Sequence, residues 1–259
     1  DFFNISQHFR VFGALRTTVY NNVIRIDNVQ HCLMALIKLL QLPSFVKSSP
    51  QAEPTDIPVE VSQPWPSPAT LFTAENAVSL KQFRLITTHV DIQPFLDEIT
   101  KNSSLWQKDT SRQDKIRVQR ETNAICLRSA VRPFPTGVTN GNNVHASRQT
   151  SIAQHFPKII QWLTTFAQTR RGELGRATIV RLAPKGRVYR HIDQGDYYRI
   201  RDRYHLVLQS AAGSVIGSGN EWVRMQPKEV WWFDNKAPHE AYNESNSWRI
   251  HLIFDLLPA

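Results

Sequence analysis

The chain changes its hydrophobic rhythm twice along its length. Near the start, HCLMALIKLLQL sets Leu33, Leu36, Ile37 and Leu40 at helical spacing, which predicts a small helical or mixed element over residues 1–46. The next stretch, SSPQAEPTDIPVEVSQPWPSPA, carries Pro50, Pro54, Pro58, Pro64, Pro66 and Pro68. Proline fixes φ and has no amide hydrogen, so residues 47–77 read as a linker or as an extended arm docked through Val59, Val61 and Trp65.

From residue 78 to 259 the pattern is that of a globular domain. VDIQPFLDEITKNSSLW and SIAQHFPKIIQWLTTFAQTRRG read as helices, and ETNAICLRSA between them reads as a strand. The second helix has Ser151 as a candidate N-cap and Ile159, Ile160, Leu163 and Phe166 on one stripe. Arg170 and Arg171 stand before Gly172 at its end. After Gly175 the rhythm shortens to RATIVRL, RVYRHID, YHLVLQS, GSVIG, EWVRM, EVWWFD and SWRIHLIFDLL, separated by turn residues such as Pro184 to Gly186 and Asn235 to Pro238. Many short strands at close intervals predict a mainly β fold with flanking helices (α+β), built as a β-sandwich or double-sheet jelly roll.

Within a strand, residues two apart share a face. His191 and Asp193 therefore project together, as do Arg203 and His205, and Arg249 and His251. The last pair alternates with apolar Trp248, Ile250, Leu252 and Phe254. Three strands with polar sets in step imply a polar pocket between the sheets. Such a pocket costs several kcal/mol per unpaired charge unless something binds in it. A metal and an anion would offset that cost. His191, Asp193 and the distant His239 form the donor set of a 2-His-1-carboxylate triad, which leaves positions open on a non-haem Fe(II). Arg249 offers the planar fork that holds a carboxylate in two places.

Composition adds limits. Hydrophobic residues make up 41% of 259, enough for a real core. The net charge of +9 suits an anionic partner, whether nucleic acid, acidic protein or small polycarboxylate, without favouring nucleic acid. Cys32 and Cys126 form neither a disulfide framework nor a thiolate metal site, so a reducing, cytoplasmic setting is expected. The opening DFFNISQHFR lacks signal-peptide character, and no apolar run nears the roughly 20 residues that span a bilayer, so no membrane partner is expected.

Taken together, RLAPKGRVYRHID, RYHLVLQS, EWVRMQPKEVWWFDNKAPHEAYN and WRIHLIFD resemble the aspartyl/asparaginyl β-hydroxylase family of Fe(II)- and 2-oxoglutarate-dependent dioxygenases, over about residues 118 to 257. The resemblance implies a double-stranded β-helix (jelly roll, cupin-like) core. It implies iron held by His191, Asp193 and His239, and Arg249 on the distal carboxylate of 2-oxoglutarate, with Arg203 and His205 helping to hold that co-substrate. It further implies O2 as oxidant, ascorbate as a supporting reductant, succinate and CO2 as products, and hydroxylation of an unactivated C–H bond. The substrate class is an amino-acid side chain, free or in a peptide or protein; lipid acyl chains are also known in the family. The animal members carry glycine where this chain has Asp193, and the co-substrate serine of some relatives has no match in TIVRLAP.

Other features have plainer readings. His251 is as readily a core histidine as a substrate contact, and Trp222, Trp231 and Trp232 read as core. RRGELGR and YYRIRDR could bind phosphates but read as solvated basic faces, and Asn235 and Asn243 read as turn residues flanking His239 in a tight loop, with support of that ligand as the sharper alternative. The rival class is a non-catalytic cupin-type metal- or anion-binding module with a basic nucleic-acid- or protein-binding surface. A zinc hydrolase would need a general base, and the sequence singles none out.

Overall fold

A computed structural model describes residues 16–18, 21–24, 71–107 and 121–259. The expected helix around Leu33 and the proline-rich run through Pro68 lie outside the described residues. The chain divides into two units, Asp1–Val61 and Ser62–Ala259. In the first, β1 (Arg16–Thr18) and β2 (Asn21–Ile24) pair antiparallel.

The second unit begins with β3 (Leu71–Phe72), β4 (Phe83–Thr87), helix α1 (Gln93–Lys101), β5 (Thr122–Ala130), β6 (Ser147–Gln149) and helix α2 (Pro157–Thr169). Next come β7 (Gly172–Leu182), β8 (Arg187–His191), the single-turn helix α3 (Asp196–Arg199) and β9 (Asp202–Gln209). The chain ends with β10 (Ser214–Ser218), β11 (Glu221–Val223), β12 (Val230–Phe233), β13 (His239–Asn243) and β14 (Arg249–Pro258).

One sheet has the order β4-β12-β9-β14-β7-β5-β6 and the other β3-β11-β10-β13-β8. From β7 onward the chain passes back and forth between them, so that β7, β9, β12 and β14 fall in the larger sheet and β8, β10, β11 and β13 in the smaller. This winding is the double-stranded β-helix, with two apposed sheets and a space between them.

The period-two pattern decides what fills each side of the larger sheet. Leu206, Ile179, Leu252 and Phe254 point outward to Ile159, Leu163 and Ala167 of α2 and to Phe95 and Ile99 of α1. Val207, Trp231 and Phe233 point inward, where they meet Ile216 and Ala241 of the smaller sheet. Trp222 and Trp231 are buried, Trp231 donating its indole N–H to Glu229 at 2.7 Å, whereas Trp232 is half-buried against the helix-side cluster.

Helix α2 starts later than its sequence suggests. Ser151 opens a short 3-10 turn, and the α-helix begins at Pro157, whose missing N–H and fixed φ suit a first helical position. The amides of Lys158 and Ile159 are instead received by the Glu98 carboxylate of α1, at 2.7 and 3.2 Å. At the other end the left-handed residue is Arg171 (φ 52°), not Gly172, which already belongs to β7.

Two further expectations change. Asn243 is no loop residue but the end of strand β13, fully buried, with its amide donating to the carbonyls of Leu182, Ala183 and Ser247. YYRIRDR is no solvated face, since Tyr197 and Arg201 are buried and Arg203 points into the protein. The first follows from strand pairing and the second from packing of α3 and Arg201 against Arg176 and His145, contacts at long sequence separation that a local pattern does not carry.

Candidate metal centre

His191 ends β8 and His239 begins β13, and the two are directly paired across the smaller sheet. Their ring centroids are 4.2 Å apart. Asp193 follows two residues after His191, its backbone N–H bonded to the Asn235 carbonyl. The donor atoms of His191, Asp193 and His239 all lie within 4.8 Å of one another. Imidazole Nε2 of His191 is 3.8 Å from Asp193 Oδ1, and that of His239 is 3.9 Å from Asp193 Oδ2.

The surroundings fix how these groups can act. His191 Nδ1 donates to the Tyr189 carbonyl at 2.7 Å and His239 Nδ1 to the Ala237 carbonyl at 3.0 Å. Each bond consumes the one N–H of a neutral ring and leaves the Nε2 lone pair facing Asp193. Burial, with repulsion from neighbouring cations, outweighs the attraction of Asp193 and lowers the His239 pKa to about 4, so this ring is neutral at ordinary pH.

Asp193 is held with equal care. Its Oδ2 accepts from Arg203 at 2.5 Å and from Asn235 Nδ2 at 3.0 Å. Burial alone would push this carboxyl upward, but Arg203, His239 and the Asn235 hydrogen bond together hold it below the ordinary carboxylate range. Arg203 in turn clasps Asp255 through Nε at 2.8 Å and Nη2 at 3.1 Å. All three guanidinium nitrogens of Arg203 are thus engaged by carboxylates of the protein, which sets it apart from Arg249.

Arg249, His251, Ile253 and Asp255 of β14 line one cavity of about 550 Å³, together with Arg203 and His205 of β9 and the three clustered donors. At the Arg249 end, Nε donates to His251 Nε2 at 3.1 Å and Nη2 lies 3.3 Å from His251 Nδ1, which also faces His205 Nδ1 at 3.1 Å. Burial, reinforced by the charge of Arg249, drives both histidines well below their ordinary pKa. Arg249 is itself buried, has no acidic partner among the described residues, and leaves Nη1 without a hydrogen bond. Burial lowers its pKa to about 10, which still leaves it a cation.

The structure therefore brings all six sequence-selected residues, His191, Asp193, His239, Arg203, His205 and Arg249, to one cavity. Sequence reasoning missed Asp255, the buried carboxylate that completes the Arg203 clasp. Its signal was present: an acid in the apolar run LIFDLL, in phase with Arg249 and His251.

The family model described as Aspartyl/Asparaginyl beta-hydroxylase matches residues 102–258. No curated protein matches the chain. Among solved structures the chain is similar to a 2OG-Fe(II) oxygenase family oxidoreductase from Burkholderia pseudomallei, at 11% identity and a TM-score of 0.44 over 68% of this chain and 84% of that one. It is similar to the viral collagen prolyl hydroxylase vCPH of Paramecium Bursaria Chlorella virus-1, in its 2OG complex, at 10% identity and 0.41 over 69% and 97%. A prolyl-4-hydroxylase from Pseudomonas putida gives 11% identity and 0.41 over 71% and 96%.

Proposed function

Because the chain belongs to the aspartyl/asparaginyl β-hydroxylase family, we propose that it is an Fe(II)- and 2-oxoglutarate-dependent dioxygenase that hydroxylates an unactivated C–H bond of an amino-acid side chain, free or peptidyl. One observation carries the reading: a His–Asp–His donor cluster shares a cavity with a buried arginine that has no acid of its own. A metal and a dianion match the charges and donors of such a cavity.

The residues fit that pair of groups. His191 and His239, each held through Nδ1 by a backbone carbonyl, turn Nε2 toward one point, and Asp193 adds a carboxylate oxygen whose partner oxygen is already engaged. When bound, Fe(II) supplies the redox chemistry that couples oxidation of 2-oxoglutarate to insertion of oxygen into the C–H bond, with succinate and CO2 as products. Arg249 meets the far carboxylate of the co-substrate, and His251 keeps the guanidinium in place through Nε. Arg203 orients Asp193, and Asn235 shares that task. Phe233, Ile216 and Ala241 wall the cavity with apolar surface and exclude water from the reacting atoms.

The test is Arg249→Met. Hydrogen bonds to charged groups contribute roughly 1.5 to 3 kcal/mol each, so loss of the fork should raise the KM for 2-oxoglutarate by about 10- to 1000-fold. Iron content should stay near normal, because the donor cluster is untouched. With Fe(II), ascorbate and 2-oxoglutarate alone, the unaltered protein should form succinate slowly, and the product of its true substrate should be heavier by one oxygen atom. A non-catalytic metal- or anion-binding module would form no succinate, and an unchanged 2-oxoglutarate dependence in Arg249→Met would sink the assignment.

A further inference from the structure

Five arginines and two acids line the cavity, and both acids, Asp193 and Asp255, are taken by Arg203. Arg249 answers to the co-substrate. Three cations remain: Arg128 of β5, which feels the exposed Glu173 without pairing to it, Arg132 just beyond β5, and Arg176 of β7. None of the three makes an ion pair among the described residues.

They are nonetheless held. Arg128 donates through Nε to the Gly175 carbonyl at 2.7 Å and through Nη2 to Leu174 at 2.9 Å and Ser147 at 3.2 Å. Arg176 donates to the Asn142 side chain and the Tyr198 hydroxyl, both at 3.3 Å, and to the Gly141 carbonyl at 2.5 Å, while its guanidinium carbon lies 3.8 Å from the Tyr197 ring centroid. Arg132 lies over the Phe134 ring at 4.8 Å. Neutral acceptors and ring faces fix the position of a guanidinium without neutralising it. The rotamer entropy that binding an anion would otherwise cost is already lost, so the group is preorganised for a ligand of opposite sign.

The register shows that the co-substrate held by Arg249 is not that ligand. The Arg249 guanidinium rests on His251, whereas that of Arg128 rests on the carbonyl of Leu174, which pairs with Leu256 five residues beyond His251 on β14. Five steps along a strand span about 16 Å, beyond the reach of a five-carbon diacid anchored on Arg249. The cavity therefore has a second cationic end.

Resting on the dioxygenase reading above, we propose that Arg128, Arg132 and Arg176 form an anchor for an anionic group, a carboxylate or a phosphate, carried by the substrate away from the carbon that is hydroxylated. Fixing one charged end places the rest of the substrate between the anchor and the His191–Asp193–His239 cluster. An uncharged analogue would lose this hold, because the arginines would be left facing an apolar or amide group.

The experiment uses the full chain, loaded with Zn(II) and saturated with 2-oxoglutarate, and reads binding calorimetrically. The probes are free L-amino acids, each matched with its primary amide, and inorganic phosphate as competitor. At least one acid should bind tenfold or more tightly than its amide. That preference should fall to within about threefold in Arg128→Gln and in Arg176→Gln, with 2-oxoglutarate affinity unchanged. Arg132 is exposed and supports no backbone carbonyl, so Arg132→Gln keeps the question open to test if either of the others fails to fold; it should reduce the preference at least threefold. Competition by millimolar phosphate would identify a phosphate-bearing substrate, and its absence a carboxylate. An acid preference lost in these variants while 2-oxoglutarate fails to bind would leave the anchor standing and remove the dioxygenase reading. No acid preferred over its amide, or a preference that survives all three substitutions, would overturn the anchor.

Discussion

Asp193 divides its two oxygens between two duties. Oδ2 is taken up by Arg203 and Asn235, which leaves Oδ1 on the side of His191 Nε2. His191→Ala should abolish turnover, since no other imidazole among the described residues reaches its position. Asp193→Ala should weaken iron binding by about tenfold or more, the scale at which even supporting partners of metal ligands matter, and lower turnover without abolishing it, because the animal relatives work with glycine there. Equal iron affinity in Asp193→Ala and the unaltered protein, by competition with a chelator, would remove the carboxylate from the ligand set. Asp255 acts one step further out. Asp255→Asn leaves Arg203 with one carboxylate instead of two and should destabilise the fold by about 3 kcal/mol, the low end for breaking a buried pair, read from the urea midpoint. His191, Asp193 and Arg249 could be picked out in the sequence by residue type and a period of two, and His239 by residue type together with the resemblance of the motif around it. The clasp was not, because nothing in RIRDRYH says which carboxylate will lie beside Arg203 once β9 and β14 pair.

At the scale of elements, the strands after Gly175 were legible wherever apolar and polar positions alternate, and β13 was not. HEAYN is buried along its whole length, yet His239, Glu240 and Asn243 are polar, so it presents neither an alternation nor an apolar run to read. The start of α2 was misread for a related reason: its cap, Glu98, comes from α1, about 60 residues earlier in the chain. Strand β13 matters because it carries His239 at one end and leads into β14, where Arg249 begins. Asn243 ties the corner between them by donating to three carbonyls. Asn243→Ala removes a donor that the three carbonyls share; Ala183 keeps the Gly186 N–H and Ser247 keeps the Ser245 hydroxyl, so the loss should be about 1 to 2 kcal/mol, read from the urea midpoint. The same variant should raise the KM for 2-oxoglutarate, since Arg249 stands at the loosened end of β14. A lowered urea midpoint with an unaltered KM would confine Asn243 to stability.

At the scale of the whole molecule, the space between the sheets holds three histidines, His205, His239 and His251, that burial keeps neutral. Their ordinary pKa is 6.5, and in the fold it falls to about 4 for His239 and well below 6.5 for the other two. As pH drops below 6.5 the unfolded chain takes up protons that the folded protein refuses, so stability is full above that point and is lost on acidification. Each histidine contributes a slope of about 1.4 kcal/mol per pH unit, and three together approach 4, enough to remove much of a typical folding stability of about 5 to 15 kcal/mol by pH 5. The Asp193 carboxylate does not share this window, since its pKa lies below the ordinary 3.8. General repulsion from a net charge of +9 also grows in acid, so the comparison that separates the two is His251→Gln. Glutamine retains an acceptor for Arg249 Nε but does not titrate. Urea unfolding of the metal-free protein between pH 7.5 and 5 should show the steep slope, reduced in His251→Gln by about 1.4 kcal/mol per pH unit. An identical slope in that variant would assign the acid sensitivity to surface charge and leave the buried histidines out of it.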